Sequence, residues 1–167
     1  MPDVREEGGV RSEEQNLSPL TPHVSSTVLA FDFGLQRIGV AVGERLLCSA
    51  RALETIAVPD NERRFAAIAR LISDWQPGTL VVGLPLAPDG TEHEMTARSR
   101  RFAKQLSGRF RLKVELVDER FTSLEAEDEL RREGLDWKKR KSLLDARAAQ
   151  VILKSYFDTL EINHESA

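Results

Sequence analysis

The stretch VLAFDFGLQRIGVAVG, Val28 to Gly43, decides how the chain is read. Thr27–Phe33 is a strand-like apolar run, Arg37–Val42 is a second, and Leu46–Ala50 is read as a third. Gly34, Gly39 and Gly43 punctuate this meander, where a turn or a close backbone approach is expected. One carboxylate sits inside the first strand. By the two-residue period of a strand, Asp32 shares a face with Val28 and Ala30. An isolated carboxylate among apolar neighbours is costly unless it is paired, hydrogen-bonded or bound to metal.

Outward from this run the pattern alternates. Asn61–Trp75 places Phe65, Ile68, Leu71, Ile72 and Trp75 on one helical face, with Asp60 or Asn61 as cap and Pro77–Gly78 as stop. TLVVGLP, Thr79–Pro85, is continuously apolar, as in a strand covered on both faces. A helix is predicted over Glu92–Ser107, ending near Gly108, followed by a strand over Leu112–Asp118. Thr122-x-x-Glu125 has capping-box form, Gly134 closes that helix, and a final helix is expected from about Ser142 to Leu160. The order βββαβαβαα implies an α/β fold. Its antiparallel meander is followed by parallel strands joined by crossover helices, giving a mixed five-stranded sheet flanked by helices.

Residues 27–160 thus form one globular domain, consistent with 167 residues of 41% hydrophobic content. Residues 1–26 are polar, with Pro2, Pro19 and Pro22, and read as a disordered acidic tail; residues 161–167 read as a C-terminal tail. Net charge is −3, and five acids against two bases within 1–26 account for it, so the body is neutral. Cys48 is the only cysteine, which excludes an intrachain disulfide and fits a reducing, cytoplasmic setting; it reads as a small buried hydrophobe. No apolar run approaches the ~18 residues of a membrane span, and the N-terminus lacks the pattern of a secretory signal.

Two further acids occupy unusual positions. Glu119 directly follows the last predicted strand, in VDERFTS, where sites of open α/β sheets tend to lie; it also fits a solvated loop acid, as does Asp118 beside it. Asp145 lies in KSLLDARAAQVILKSYF, on a helical face shared with Ala149, Ile152 and Tyr156. It also fits an N-terminal capping pair with Ser142. Asp32 in turn could serve the Gly34–Arg37 turn or pair with Arg37. Taken together, three acids able to converge at one sheet end suggest hard divalent cations held by oxygen ligands, the arrangement of two-metal phosphodiester hydrolysis.

The blocks AFDFGLQRIGVAVG, VVGLPLAPDGTE, VDERFTSLEA and LLDARAAQVILKSYF, in this order and spacing, closely resemble the YqgF (RuvX-like) family over about Thr27–Leu160. Members of that family are named as pre-16S rRNA nucleases and as Holliday-junction-resolvase-like proteins. The resemblance implies a ribonuclease H-like fold and a metal-dependent endonuclease acting on structured nucleic acid, with processing of the 5′ end of precursor 16S rRNA in ribosome biogenesis as its task. It places the catalytic, metal-binding acids on Asp32, Glu119 and Asp145, with Mg²⁺ or Mn²⁺ as cofactor in a two-metal site. Asp32 would stand centrally between the other two. The family more often has Ser-Thr where this chain has Thr122-Ser123, which leaves the acids in place and changes only the capping detail.

A polyanionic substrate needs cations. Arg98, Arg101 and Lys104 belong to a run over 98–113 without acids, and Lys138, Lys139, Arg140 and Lys141 form a second cluster beside Trp137. Arg37 and Arg120 flank the acids, where they can contact phosphate or pair with those acids. His93 reads as a surface loop residue. The expected partners are structured RNA or branched DNA, together with ribosomal precursor particles; no membrane is involved, and the chain is a monomer or weak homodimer. Three other classes share features: a Holliday junction DNA resolvase with the same acids, a non-catalytic nucleic-acid-binding module, and an actin- or sugar-kinase-like ATP-binding protein. The last normally needs far more chain than 167 residues.

Overall fold

A computed structural model describes residues 25–120, 132 and 137–166, with the side chains of 137–142 and 161–166 outside the description. Five strands form one sheet: β1 (Thr27–Phe33), β2 (Ile38–Glu44), β3 (Ser49–Ile56), β4 (Thr79–Leu84) and β5 (Lys113–Asp118). Three helices join them: α1 (Asn61–Trp75), α2 (Glu94–Phe110) and α3 (Trp137–Ser166). The strand order is β3-β2-β1-β4-β5. β1 pairs antiparallel with β2 and parallel with β4, β2 pairs antiparallel with β3, and β4 pairs parallel with β5. This is the mixed five-stranded, ribonuclease H-like α/β arrangement expected.

The two faces of β1 supply two cores. Leu29 and Phe31 point to α1 and α2, where Ile68, Leu71, Phe102 and Leu106 are buried with them. Phe102 stacks on Phe33 at 4.8 Å and meets Phe31 edge-on at 5.9 Å. Val28 and Ala30 point the other way, to Ala149, Ile152, Leu153, Tyr156 and Phe157 of α3. β1 and β4 are covered on both sides, which explains their continuous apolar sequence.

Several boundaries differ from expectation. The third strand is Ser49–Ile56, not Leu46–Ala50. Residues 45–48 form the turn, with Cys48 at φ 52° and exposed rather than buried. β3 is an edge strand whose Arg51 and Glu54 break the apolar pattern, and its register shifts at Val40/Ala41. α2 runs through Gly108 to Phe110 and is closed by Arg111 at φ 55°, whose N–H donates to the Ser107 carbonyl. His93 is its N-cap, with Nδ1 accepting from the Met95 N–H. α1 keeps its expected limits: the Asp60 carboxylate accepts from the Arg63 N–H, and Gln76 closes the helix at φ 49°.

α3 begins five residues before Ser142, so Asp145 lies inside the helix and not in its first turn, which removes the capping role weighed above. It also continues past Leu160. The Thr122–Glu125 capping box, Gly134 and all but the last two residues of the 1–26 tail fall outside the described residues. Among the described residues no helix is long and apolar enough to cross a membrane.

Candidate active site at the carboxyl end of the sheet

Asp32 is the last α3-facing position of β1. In the ladder it lies opposite Gly39 of β2, and its neighbour Phe31 aligns with Val82 of β4, which brings Gly83 alongside. A Cβ on Gly39 would stand 1.8 Å from the Asp145 carbonyl oxygen. The bare glycine is therefore what lets the α3 backbone settle on the sheet at Asp145. A Cβ on Gly83 would stand 2.1 Å from Glu119 Oε2 and 2.5 Å from Ile152 Cδ1, so this glycine makes the space that the Glu119 carboxylate fills. Glu119 extends the parallel pairing one residue past β5, its N–H donating to the Leu84 carbonyl at 3.1 Å. Three acids from three elements thus meet on one face.

Their electrostatics differ. Burial, then the negative charge of Asp145, pushes the Asp32 carboxyl up to about 7. Burial, then the charges of Asp32 and Asp118, pushes Glu119 up to about 8. The adjacent Asp118 behaves oppositely: it points to the other side, and its bond to Arg120 at 2.6 Å holds it below the usual carboxylate range. The alternation of the strand therefore separates two neighbouring acids that look alike in sequence. Asp145 accepts from Arg37 Nε at 2.8 Å. A cavity of about 530 Å³ opens there, lined by Gly34, Leu35, Gln36, Arg37, Met95 and Asp145.

The donor set is all oxygen, which suits Mg²⁺ or Mn²⁺ better than a soft metal. The space at Gly83 holds the Glu119 carboxylate, and the space at Gly39 seats the backbone of Asp145. Among the described residues no group of three His, Cys, Asp or Glu is arranged to hold an ion. The acids interact as two pairs sharing Asp32, and Arg37 holds the outer one.

The predicted cations divide. Arg37 pairs with Asp145, and Arg120 is engaged by Asp118 and the Pro88 carbonyl. Arg98 pairs with Glu94 within its own helix, Arg100 pairs with Glu92, and Arg109 lies 4.0 Å over the Phe65 ring. Arg101 and Lys104 are exposed with no ion pair among the described residues. Lys138, Lys139, Arg140 and Lys141 lie at the start of α3, with side chains outside the description. Sequence reading overlooked Gly83 and Arg64. An isolated glycine inside the apolar run TLVVGL was the available signal for close approach. Buried Arg64 carried none, since its bonds to the Val58 and Gly34 carbonyls are tertiary.

The fold is ribonuclease H-like, as in RuvC resolvases. Thermus thermophilus RuvC, solved in complex with a Holliday junction substrate, superposes with a TM-score of 0.52 at 18% identity, over 81% of this chain and 95% of that one. Fowlpox virus resolvase, solved with Holliday junction DNA, gives 0.54 at 13% identity, over 80% and 98%. The chain belongs to the RuvX family, described as Holliday junction resolvase, whose pattern it matches over residues 26–159. Proteins named "Putative pre-16S rRNA nuclease" are similar to it: that of Dechloromonas aromatica is 56% identical over 80% of this chain and 91% of its own, and that of Burkholderia vietnamiensis 52% over 84% and 93%.

Proposed function

We propose that the chain is a divalent-metal-dependent endonuclease that hydrolyses phosphodiester bonds of structured RNA, with the 5′ region of precursor 16S rRNA as substrate and ribosome biogenesis in the cytoplasm as setting. The observation that carries this reading is the meeting of Asp32, Glu119 and Asp145 on one sheet face, with Asp32 and Glu119 held toward their protonated forms by burial and mutual repulsion. The fold gains no stability from such a row, whereas a bound cation relieves both burdens. Asp32 would be the shared ligand, with Glu119 on one side and Asp145 on the other. Held by these acids, Mg²⁺ or Mn²⁺ would supply charge stabilisation for phosphodiester hydrolysis.

The chain's own residues do the rest. Asp32 is fixed by strands on both sides, so its carboxylate position is set by the sheet and not by a loop. Arg37 orients Asp145 and brings a guanidinium to the same cavity, where a phosphate binds. Arg98, Arg101, Lys104 and the Lys138–Lys141 cluster neutralise backbone charge. Arg120 offers a phosphate only the N–H groups that Asp118 and Pro88 leave. RNA is favoured because the relatives named as rRNA nucleases exceed 50% identity, while the resolvase structures are likenesses of fold alone. The test is cleavage with Mn²⁺ of precursor rRNA against a four-way DNA junction, with Asp32→Asn as control. Cutting of the RNA, lost in the variant, is expected. Cutting of the junction alone would move the assignment to a resolvase, and full activity in the variant would remove Asp32 from the site.

A further inference from the structure

A second cavity, of about 450 Å³, lies on the opposite side of the β1–β2 turn, between the start of α1 and the outer face of α2. We propose that it binds one unstacked nucleotide of the substrate strand next to the scissile phosphate, an assignment that rests on the nuclease reading above. Its size falls within the roughly 300–1,000 Å³ of small-ligand sites. Leu35 lines both this cavity and the one at Asp145, so a single side chain, 52% exposed, is the ridge between them. A strand leaving Asp145 crosses Leu35 and reaches the second cavity directly.

The lining carries one acid, Asp60, whose carboxylate accepts from the Arg63 N–H as the cap of α1, and otherwise matches the parts of a nucleotide. Leu35, with Phe33 behind it stacked on Phe102, forms an apolar wall for a base, and Gln105 carries both a donor and an acceptor for a base edge. Arg98 and Arg101, three residues apart on α2, stand at the same cavity for the phosphate. Among the described residues Arg98 is held by an exposed i,i+4 pair with Glu94, which solvent screens, and is therefore readily recruited. Beneath them Arg64 is 3% exposed, places its guanidinium 5.5 Å from the Phe33 ring centre, and spends two of its five N–H groups on the Val58 and Gly34 carbonyls. It ties the cavity wall to the turn that follows Asp32. An aromatic and aliphatic wall with cations at its edge is how proteins hold single-stranded bases, whereas bases inside a duplex present no free face.

The experiment uses the uncut complex of the full chain carrying Asp32→Asn. Affinity is measured for an RNA hairpin with a short single-stranded extension, on either end, and for the same hairpin made blunt. An extension at one end should tighten binding about tenfold, the scale of one stacked base. The ratio of the two affinities should fall to about one with Arg101→Glu and with Leu35→Asp, both at exposed positions, and persist with Lys154→Glu, an exposed cation on α3 outside the cavity. A ratio of one in the parent, a ratio unchanged by both cavity variants, or an equal loss with Lys154→Glu would overturn the proposal. Cleavage by the unmutated protein is scored separately. Cutting without the extension preference removes this subsite alone, preference without cutting removes the nuclease reading alone, and no RNA binding removes both.

Discussion

The two faces of one strand behave as two different materials. Toward α1 and α2, β1 presents Leu29 and Phe31, and the space is filled by large side chains: Phe65, Ile68, Phe102 and Leu106. Toward α3 it presents Val28, Ala30 and Asp32, facing Ala41, Gly39 and Gly83 on the neighbouring strands. Small residues let the α3 backbone come close, and the space left at the end is taken by carboxylates. One face contributes stability through apolar volume. The other gives some of it up to hold like charges together, as functional sites do.

The largest expected effect falls on the acidic face. Asp32→Asn should lower cleavage by at least about 100-fold without lowering the melting temperature of the metal-free protein at pH 8. A drop in melting temperature there would mean that Asp32 is a structural group. On the apolar face Phe102→Ala should do the reverse, costing about 3–5 kcal/mol of stability by chemical denaturation, since its ring touches Phe31, Phe33 and Phe65. A loss under about 1 kcal/mol would show that this face is not close-packed.

Gly83→Ala tests where the faces' rules meet. The new methyl displaces the Glu119 carboxylate and Ile152, so overpacking of about 1–3 kcal/mol should accompany lost cleavage. Preserved cleavage would detach Glu119 from the chemistry.

The pH dependence separates the faces further. Asp32 rises from 3.8 to about 7 and Glu119 from 4.5 to about 8, so the metal-free fold binds these protons more tightly than the unfolded chain does. Their contribution is complete below about pH 4 and is lost as pH rises through 7 to 8. Melting temperature should therefore fall from pH 5 to pH 8 without metal, and Mg²⁺ or Asp32→Asn should flatten the slope; an equal slope in the variant would refute the assignment. The smallest effect is Gly108→Ala in α2. The site has open space around it and lies inside a helix, so a gain of about 0.5–1 kcal/mol is expected, with cleavage unchanged.

Much of this division was legible in advance where one period dominated. Thr27–Phe33 and Asn61–Trp75 fall within the same limits in sequence and structure, because each has a clean apolar pattern and a local stop. β3 was displaced because an edge strand carries charges that hide its alternation, while Leu46 and Leu47, 84% and 76% exposed, mimic a strand in the turn. Gly108 resembles a stop because glycine is the usual helix terminator, yet Arg111 adopts the left-handed conformation instead. Ser142-x-x-Asp145 imitated a cap that the earlier start of α3 makes impossible.

The sequence by itself determined the order of elements, the apolar strand pair at the centre and the identity of the three unusual acids, because periodicity and misplaced charge are local properties. Tertiary structure alone decided that Glu119 turns inward while Asp118 turns out to Arg120, and that Asp145 rests on Gly39. It alone set Arg37 against an acid 108 residues away and joined two cavities through Leu35. Those relations depend on strand register and on how closely a helix approaches a sheet. Both are fixed by packing between segments far apart in the chain, which no local pattern records.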